Sequence, residues 1–226
     1  MPMTQPLSAT STGGSSYYSE KYFSWQAPIG EFGGWANVTK FRDFIKPSDR
    51  LIDYGCGGGY LLSRIECAER VGIEINPAAR ETARGMGIRA VGSAAEIADG
   101  WADVIISNHA LEHTTRPLDE LKDLLPKLKV GGKAVFFVPC ESIRCAYRPG
   151  DVNQHLYSWS PMNLGNLFTL AGFRVETVEP FLHKWPRRYR FWSRFGRGVF
   201  DCVSRIYARW ERTWFQVRVI AYRPAP

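Results

Sequence analysis

Between residues 51 and 138 the chain alternates short apolar runs with segments of helical period. The runs at 51–54, 70–75, 89–91, 102–107 and 133–138 predict strands, and the segments at 60–66, 77–86, 94–98 and 118–128 predict the helices between them. Strand and helix in regular turn predict a parallel sheet with helices on both faces, because parallel neighbours are joined only by long crossovers. Pro77 suits a first helical turn, and Gly131-Gly132 is expected to stop the long helix before the fifth strand. Farther on, residues 160–171 read as a helix with Gly172 just past its end and 173–178 as a sixth strand. Residues 215–222 read as a seventh, with Val217, Val219 and Ala221 alternating against polar or bulky neighbours.

The flanks read differently. Residues 1–16 are rich in Ser, Thr, Pro and Gly and predict a disordered tail. Residues 17–50 are aromatic and glycine-rich, which predicts a flap leading into a short helix over 37–44. At 226 residues there is room for one α/β domain, so 17–226 is taken as a single unit. A composition of 45% hydrophobic and 23% charged residues excludes disorder over most of the length. No run approaches the roughly 20 apolar residues of a membrane span, and no export signal is present, which predicts a cytoplasmic protein. The five cysteines are scattered without a Cys-x-x-Cys pair, as expected for reduced thiols and not for zinc.

Charge adds a second feature. From Phe181 onward eleven basic residues face only Asp201 and Glu211, so the net charge of +7 is concentrated at one end of the chain. Within the insertion at 180–213, Trp192, Phe195, Val199, Val203, Ile206 and Trp210 recur at spacings of three and four, a helical stripe flanked by arginines that Gly196 and Gly198 weaken. If the sixth strand is parallel to the others, this insertion roofs the ligand edge. Three readings compete. The segment is a lid whose stripe packs on the domain, or an amphipathic element at 186–212 lying on an anionic membrane at the inner face, or a nucleic-acid contact. The last ranks lowest, for want of a recognised RNA-binding module.

Candidate chemistry begins at Gly55-Cys56-Gly57-Gly58-Gly59, a glycine loop between a first strand and a helical segment, where a ligand can approach the backbone. Counting G-x-G-x-x-G from Gly55 reaches Tyr60 at the third glycine, which weakens a dinucleotide reading. Asp53 before the loop would repel a pyrophosphate but not an ammonium. Glu74 falls where a carboxylate can chelate two ribose hydroxyls.

The stretch from Leu51 through Leu62, then Val71-Gly72-Ile73-Glu74-Ile75-Asn76-Pro77, then 102–113 ending Leu111-Glu112-His113, resembles the class I S-adenosylmethionine-dependent methyltransferases. Leu128-Lys129-Val130-Gly131-Gly132-Lys133 and Leu170-Ala171-Gly172-Phe173 continue the match, which is nearest to ubiquinone-biosynthesis O-methyltransferases and sugar or small-molecule methyltransferases. The resemblance implies a Rossmann-like, seven-stranded, mostly parallel sheet whose last strand is antiparallel. It implies that Asp53, Gly55 and Gly57 contact the methionine end of S-adenosylmethionine, with Tyr54 and Cys56 beside them. Glu74 and Ile75 would meet the ribose, Ala95 and Glu96 the adenine, and Asn108 and His109 would close the pocket beneath the sulfonium.

For catalysis, His109 and His155 are expected to face the substrate, while His113 is the weaker candidate because its stretch often ties the next loop together. Some quinone methyltransferases bind a divalent metal in this stretch, but His109 stands at the first acidic position, so no metal is assigned. Glu141 either orients a sugar hydroxyl or is a solvated carboxylate. The expected activity is O-methylation of a sugar, glycan or other polar acceptor, free or lipid-linked, as in polysaccharide biosynthesis. The alternatives are an RNA methyltransferase and a non-catalytic binding module; no oligomeric state is assigned.

Overall fold

The computed structural model describes residues 20–149, 151 and 153–226. The tail expected over 1–16 lies outside them. A seven-stranded sheet runs in the order β3-β2-β1-β4-β5-β7-β6. Its strands are β1 (Arg50–Tyr54), β2 (Glu69–Ile73), β3 (Arg89–Val91), β4 (Ala102–Asn108), β5 (Leu128–Glu141), β6 (Arg174–Phe181) and β7 (Trp214–Tyr222). The first five are mutually parallel where they pair, and β7 is antiparallel to both β5 and β6.

Period-two alternation divides the core between the two faces. Ile52, Ile105, Phe136 and Val138 join one cluster with Leu121, Leu124, Leu164 and Phe168 of helices α3 (Pro117–Leu124) and α4 (Pro161–Leu170). Leu51, Val104, Ile106, Val135 and Phe137 join the other, with Val38 and Phe41 of α1 (Glu20–Phe41) and Ala83 of α2 (Pro77–Gly85).

The sheet order reverses direction between β1 and β4, and ligands of open α/β sheets bind outside the strand ends at such a switch point. Because β7 is antiparallel, it contributes its beginning to that edge: Glu141 pairs with Trp214, Cys140 with Phe215 and Pro139 with Gln216. The end of β6 arrives there too, with Phe181 opposite Gln216, so the following segment rises over the edge as the topology predicts.

Several elements differ from their predicted form. The flap is instead a 22-residue helix, α1, running through Gly30, Gly33 and Gly34. A Cβ at Gly34 would lie 2.4 Å from the Tyr60 carbonyl oxygen, so glycine lets α1 press onto the chain after the glycine loop, and this contact overrides poor helix propensity. The helix predicted at 60–66 is a single 3-10 turn, Leu62–Arg64, because Gly59 (φ 80°) turns the chain and β2 already begins at Glu69. That predicted at 94–98 is likewise a short turn, Ala94–Glu96. Helix α3 ends at Leu124 ahead of Pro126, and β5 starts at Leu128, running through the glycines expected to precede it with an irregular register against β4.

The basic insertion differs most. It forms α5 (Tyr189–Trp192), a 3-10 turn at Ser193–Phe195, and α6 (Arg197–Trp210), broken at Gly196 with φ 92°. The buried face of α6 is Phe200, Ser204 and Ala208. Phe200 sits among Phe32, Trp35 and His183. The stripe read from the sequence is turned the other way: Phe195, Val199, Ile206 and Trp210 are exposed. Small side chains at 204 and 208 let the helix backbone close on the domain, which a hydrophobicity pattern does not register.

Candidate functional site

At the switch point the glycine loop is set by its backbone. The Gly55 and Cys56 amides both donate to the Ile73 carbonyl, at 2.8 and 3.1 Å, which fastens the loop to the end of β2. Gly55 has φ 76°, and a Cβ there would meet the Ala110 methyl at 2.2 Å. Gly57 has φ 53° with nothing within 4 Å of the Cβ position, so its outer side is open. Cys56 is packed against Gly72, and burial raises its thiol pKa, keeping it neutral and unreactive.

Two carboxylates frame the loop. Asp53 is buried at the end of β1, where burial, and then Glu74, push its pKa up to about 7. Glu74 lies just past β2, its Oε2 accepting from the Gly57 amide at 3.0 Å and its Oε1 from the Asn76 amide at 2.8 Å. Burial raises its pKa while those amides oppose the shift.

Opposite the loop stands a polar network drawn from distant segments. Lys40 of α1 donates to Asn108 Oδ1 at 2.8 Å and to Gln216 Oε1 at 2.6 Å. Burial brings its pKa down to about 7, against an opposing pull from Glu112. His109 Nε2 is 3.1 Å from Gln216 Oε1, and its Nδ1 is 3.2 Å from Glu112 Oε1, so each ring nitrogen faces an acceptor. Gln216 in turn donates to the His183 carbonyl at 2.7 Å.

Glu112 is fully buried at the centre of the histidines. Burial pulls its pKa upward, yet the His109 hydrogen bond and the neighbouring rings outweigh it and the carboxyl ends below its ordinary value. His113 Nε2 and His155 Nε2 each lie 3.9 Å from Glu112 Oε1. The two rings meet edge to face with centroids 5.0 Å apart. Burial lowers the pKa of His113, against Glu112 and a hydrogen bond to the Gln154 backbone. His155 Nδ1 lies 2.5 Å from Glu141 Oε1, so the carboxylate left open between two roles in the sequence holds a histidine. His109 and Gln154 both have positive φ, 57° and 46°, a strained conformation for non-glycine residues and one that gathers at functional sites.

Loop and network face each other across a cavity of about 570 Å³ whose walls include Asp53, Gly55, Cys56 and Gly57 on one side and Lys40, Asn108, His109, His113, His155 and Gln216 on the other. All three predicted histidines are thus brought together. Tyr54, Glu74, Ile75, Ala95 and Glu96 are not on its walls. Tyr54 stacks on Phe136 within the core, Ile75 is exposed, and Glu96 Oε1 accepts from the Gly92 and Ser93 amides at 2.7 and 3.2 Å. Glu112, His113 and His155 place one ligand atom each within 4.8 Å of one another, a grouping that could hold a divalent cation and that the sequence did not disclose because His155 lies on another loop.

Residues 31–178 match the family described as methyltransferase domain. The chain is a class I S-adenosylmethionine-dependent methyltransferase. No curated protein matches it. The methyltransferase resembles solved structures at low identity. A methyltransferase from Bacillus halodurans is 17% identical with TM-score 0.59, covering 84% of this chain and 98% of its own. A methyltransferase from Archaeoglobus fulgidus is 19% identical with TM-score 0.62, covering 90% and 100%. Phosphoethanolamine N-methyltransferase 2 from Haemonchus contortus, solved with S-adenosyl-L-methionine, is 14% identical with TM-score 0.64, covering 93% of this chain and 58% of that one. These likenesses show the fold, and S-adenosylmethionine is the cofactor typical of the family.

Sequence reasoning missed several wall residues of this methyltransferase: Lys40, Tyr60, His183, Trp185, Trp214 and Gln216. Gln216 was visible only as a polar position in the last strand. Nothing local marked Lys40, whose partners lie 68 and 176 residues away.

Proposed function

We propose that this methyltransferase transfers the methyl group to a hydroxyl of a sugar or other polar acceptor, with His155 taking up the hydroxyl proton. The observation that carries the reading is the 2.5 Å contact of His155 Nδ1 with Glu141 Oε1 at the cavity wall. A carboxylate on Nδ1 fixes the proton there and leaves the Nε2 lone pair as acceptor. At 3.9 Å from Glu112 Oε1, Nε2 is beyond hydrogen-bond distance of that group. His109, with an acceptor on each nitrogen, is instead a positioning group.

The donor set suits S-adenosylmethionine. Asp53, a carboxyl buried in the cavity wall with no salt bridge to a described cation, would take the ammonium. The open side of Gly57 admits a close backbone approach. Glu74, which fastens the loop by accepting from the Gly57 amide, is the carboxylate next to it and would meet the ribose hydroxyls. When bound, the cofactor supplies an electrophilic methyl on a sulfonium. With that group held between the loop and the network, His155 Nε2 would take up the proton of the acceptor hydroxyl, and the imidazolium so formed would face Glu141 and Glu112. Tyr60, Trp185 and Trp214 add aromatic faces to the polar wall, a combination that suits a hydroxylated ring.

The test supplies methyl-labelled S-adenosylmethionine and a fractionated extract of polar metabolites, glycolipids and RNA, and locates the label by mass spectrometry and NMR. The expected product is an O-methyl ether in a polar or glycan fraction. Label on nitrogen, carbon or RNA, or no S-adenosylhomocysteine from any fraction, would sink the reading. Loss of activity in EDTA with recovery in a divalent ion would make Glu112, His113 and His155 metal ligands and remove His155 as the base.

A further inference from the structure

Helix α6 has two faces. Phe200, Ser204 and Ala208, at spacings of four, fasten it to the domain. Turned away from that face, Val199, Ile206 and Trp210 are exposed at 43%, 62% and 82%, and Phe191 and Phe195, in the turns that lead into α6, are exposed at 48% and 58%. Such a cluster on one surface element goes beyond the scattered apolar residues normal for a soluble domain. Beside it runs an apolar groove of about 330 Å³ whose walls include Pro186, Trp192, Val203, Ile206, Tyr207 and Trp210.

The surface is also cationic. Arg187, Arg190, Arg194, Arg205, Arg209 and Arg212 are exposed, and none forms a salt bridge with a described acidic residue. On a helical projection Arg205 and Arg209 lie along one border of the apolar stripe, which is the arrangement of an element lying in a membrane interface, side chains down and guanidinium groups at the headgroups. Among the described residues no helix is long and apolar enough to cross a membrane, so contact of this kind would be peripheral.

We propose that α5–α6 docks this methyltransferase on an anionic lipid bilayer, with Phe195, Ile206 and Trp210 entering the interface and the flanking arginines meeting anionic headgroups. Charge complementarity selects this occupant: a second copy would bring a like-charged face against it. The docking segment follows directly on Lys184 and Trp185, which are in the cavity wall, so a bilayer held there lies beside the cavity mouth. That the acceptor is therefore a polar group carried on a lipid rests on the O-methylation reading; the docking itself does not.

The experiment is flotation of the full-length protein with vesicles of phosphatidylcholine alone or with about one third phosphatidylglycerol, at low and high salt. Binding is expected only to the anionic vesicles, weakening with salt. Arg205→Glu with Arg209→Glu should weaken it about five-fold or more per charge, since one basic residue near an anionic surface is worth about that factor. Ile206→Ser with Trp210→Ser should weaken it further at high salt, where the apolar contribution is left. Both pairs are exposed, and an unchanged melting temperature establishes that the variants fold. Equal binding to neutral vesicles would overturn the proposal. So would failure of the folded protein to float, or a dimer by light scattering that the same variants dissolve, or RNA binding in place of flotation. No arm reads methyl transfer, so docking stands or falls independently of the acceptor.

Discussion

The two sides of the cavity are built by different means. The loop side is a matter of backbone: within 24 residues, Asp53 to Asn76, amide groups, glycine conformations and two carboxylates define a shape, and the side chains of the loop itself do almost nothing. The histidine side is a matter of side chains: Lys40, His109, His155 and Gln216 come from α1, the turn after β4, the loop beyond β5 and the start of β7; Gln216 holds Lys40 and His109, and Glu141 holds His155. A backbone-built site is generic and can serve one cofactor in many proteins. A side-chain-built site can be altered residue by residue, so acceptor choice belongs on that side.

If that division holds, damage on the histidine side should reach rate and leave cofactor binding alone. The largest effect is expected for His155→Ala, which should slow methyl transfer about 10²- to 10⁴-fold, the usual contribution of a positioned general base. Glu141→Gln, which leaves the ring but not its anchor, should fall between that variant and the wild type. Both are read as S-adenosylhomocysteine formed per enzyme under saturating cofactor.

On the loop side, Gly55→Ala should cost about 2–4 kcal/mol of stability in urea unfolding, since its methyl group meets Ala110 at 2.2 Å and its φ is positive. Asp53 offers a pH test. Its folded pKa stands near 7, above its ordinary 3.8, so its burial costs nothing below pH 3.8 and its full cost appears only above about pH 7, where the folded group ionises. A bound ammonium needs that ionised form. S-adenosylhomocysteine affinity measured by calorimetry should therefore rise about tenfold from pH 6 to pH 8, and Asp53→Asn should flatten the profile. The smallest effect is Gly57→Ala: with open space around it, it should lose only about 1 kcal/mol of stability, while weakening cofactor binding because the added methyl fills the approach.

The same division governs what the sequence could disclose. Asp53, Gly55, Gly57 and Glu74 stand in one short stretch whose spacing carries its own geometry, and apolar runs in regular turn with helical periods revealed the sheet. Lys40 and Gln216 are joined by a hydrogen bond spanning 176 residues, which no local pattern encodes. His155 was found as a candidate, but its tie to Glu141 needed the loop's path. Helix α1 hid behind its glycines because the contact that stabilises it, Gly34 against Tyr60, is tertiary. In α6 the period was legible and the facing was not: the apolar stripe points outward, and Ser204 and Ala208 lie against the domain.

The most direct measurement of the division is calorimetric titration of S-adenosylhomocysteine into His155→Ala beside the wild type. The account predicts affinities within about twofold of each other, although the variant transfers methyl groups at least a hundredfold more slowly. Cofactor affinity that falls in step with the rate would contradict it, because the two sides of the cavity would then be one site.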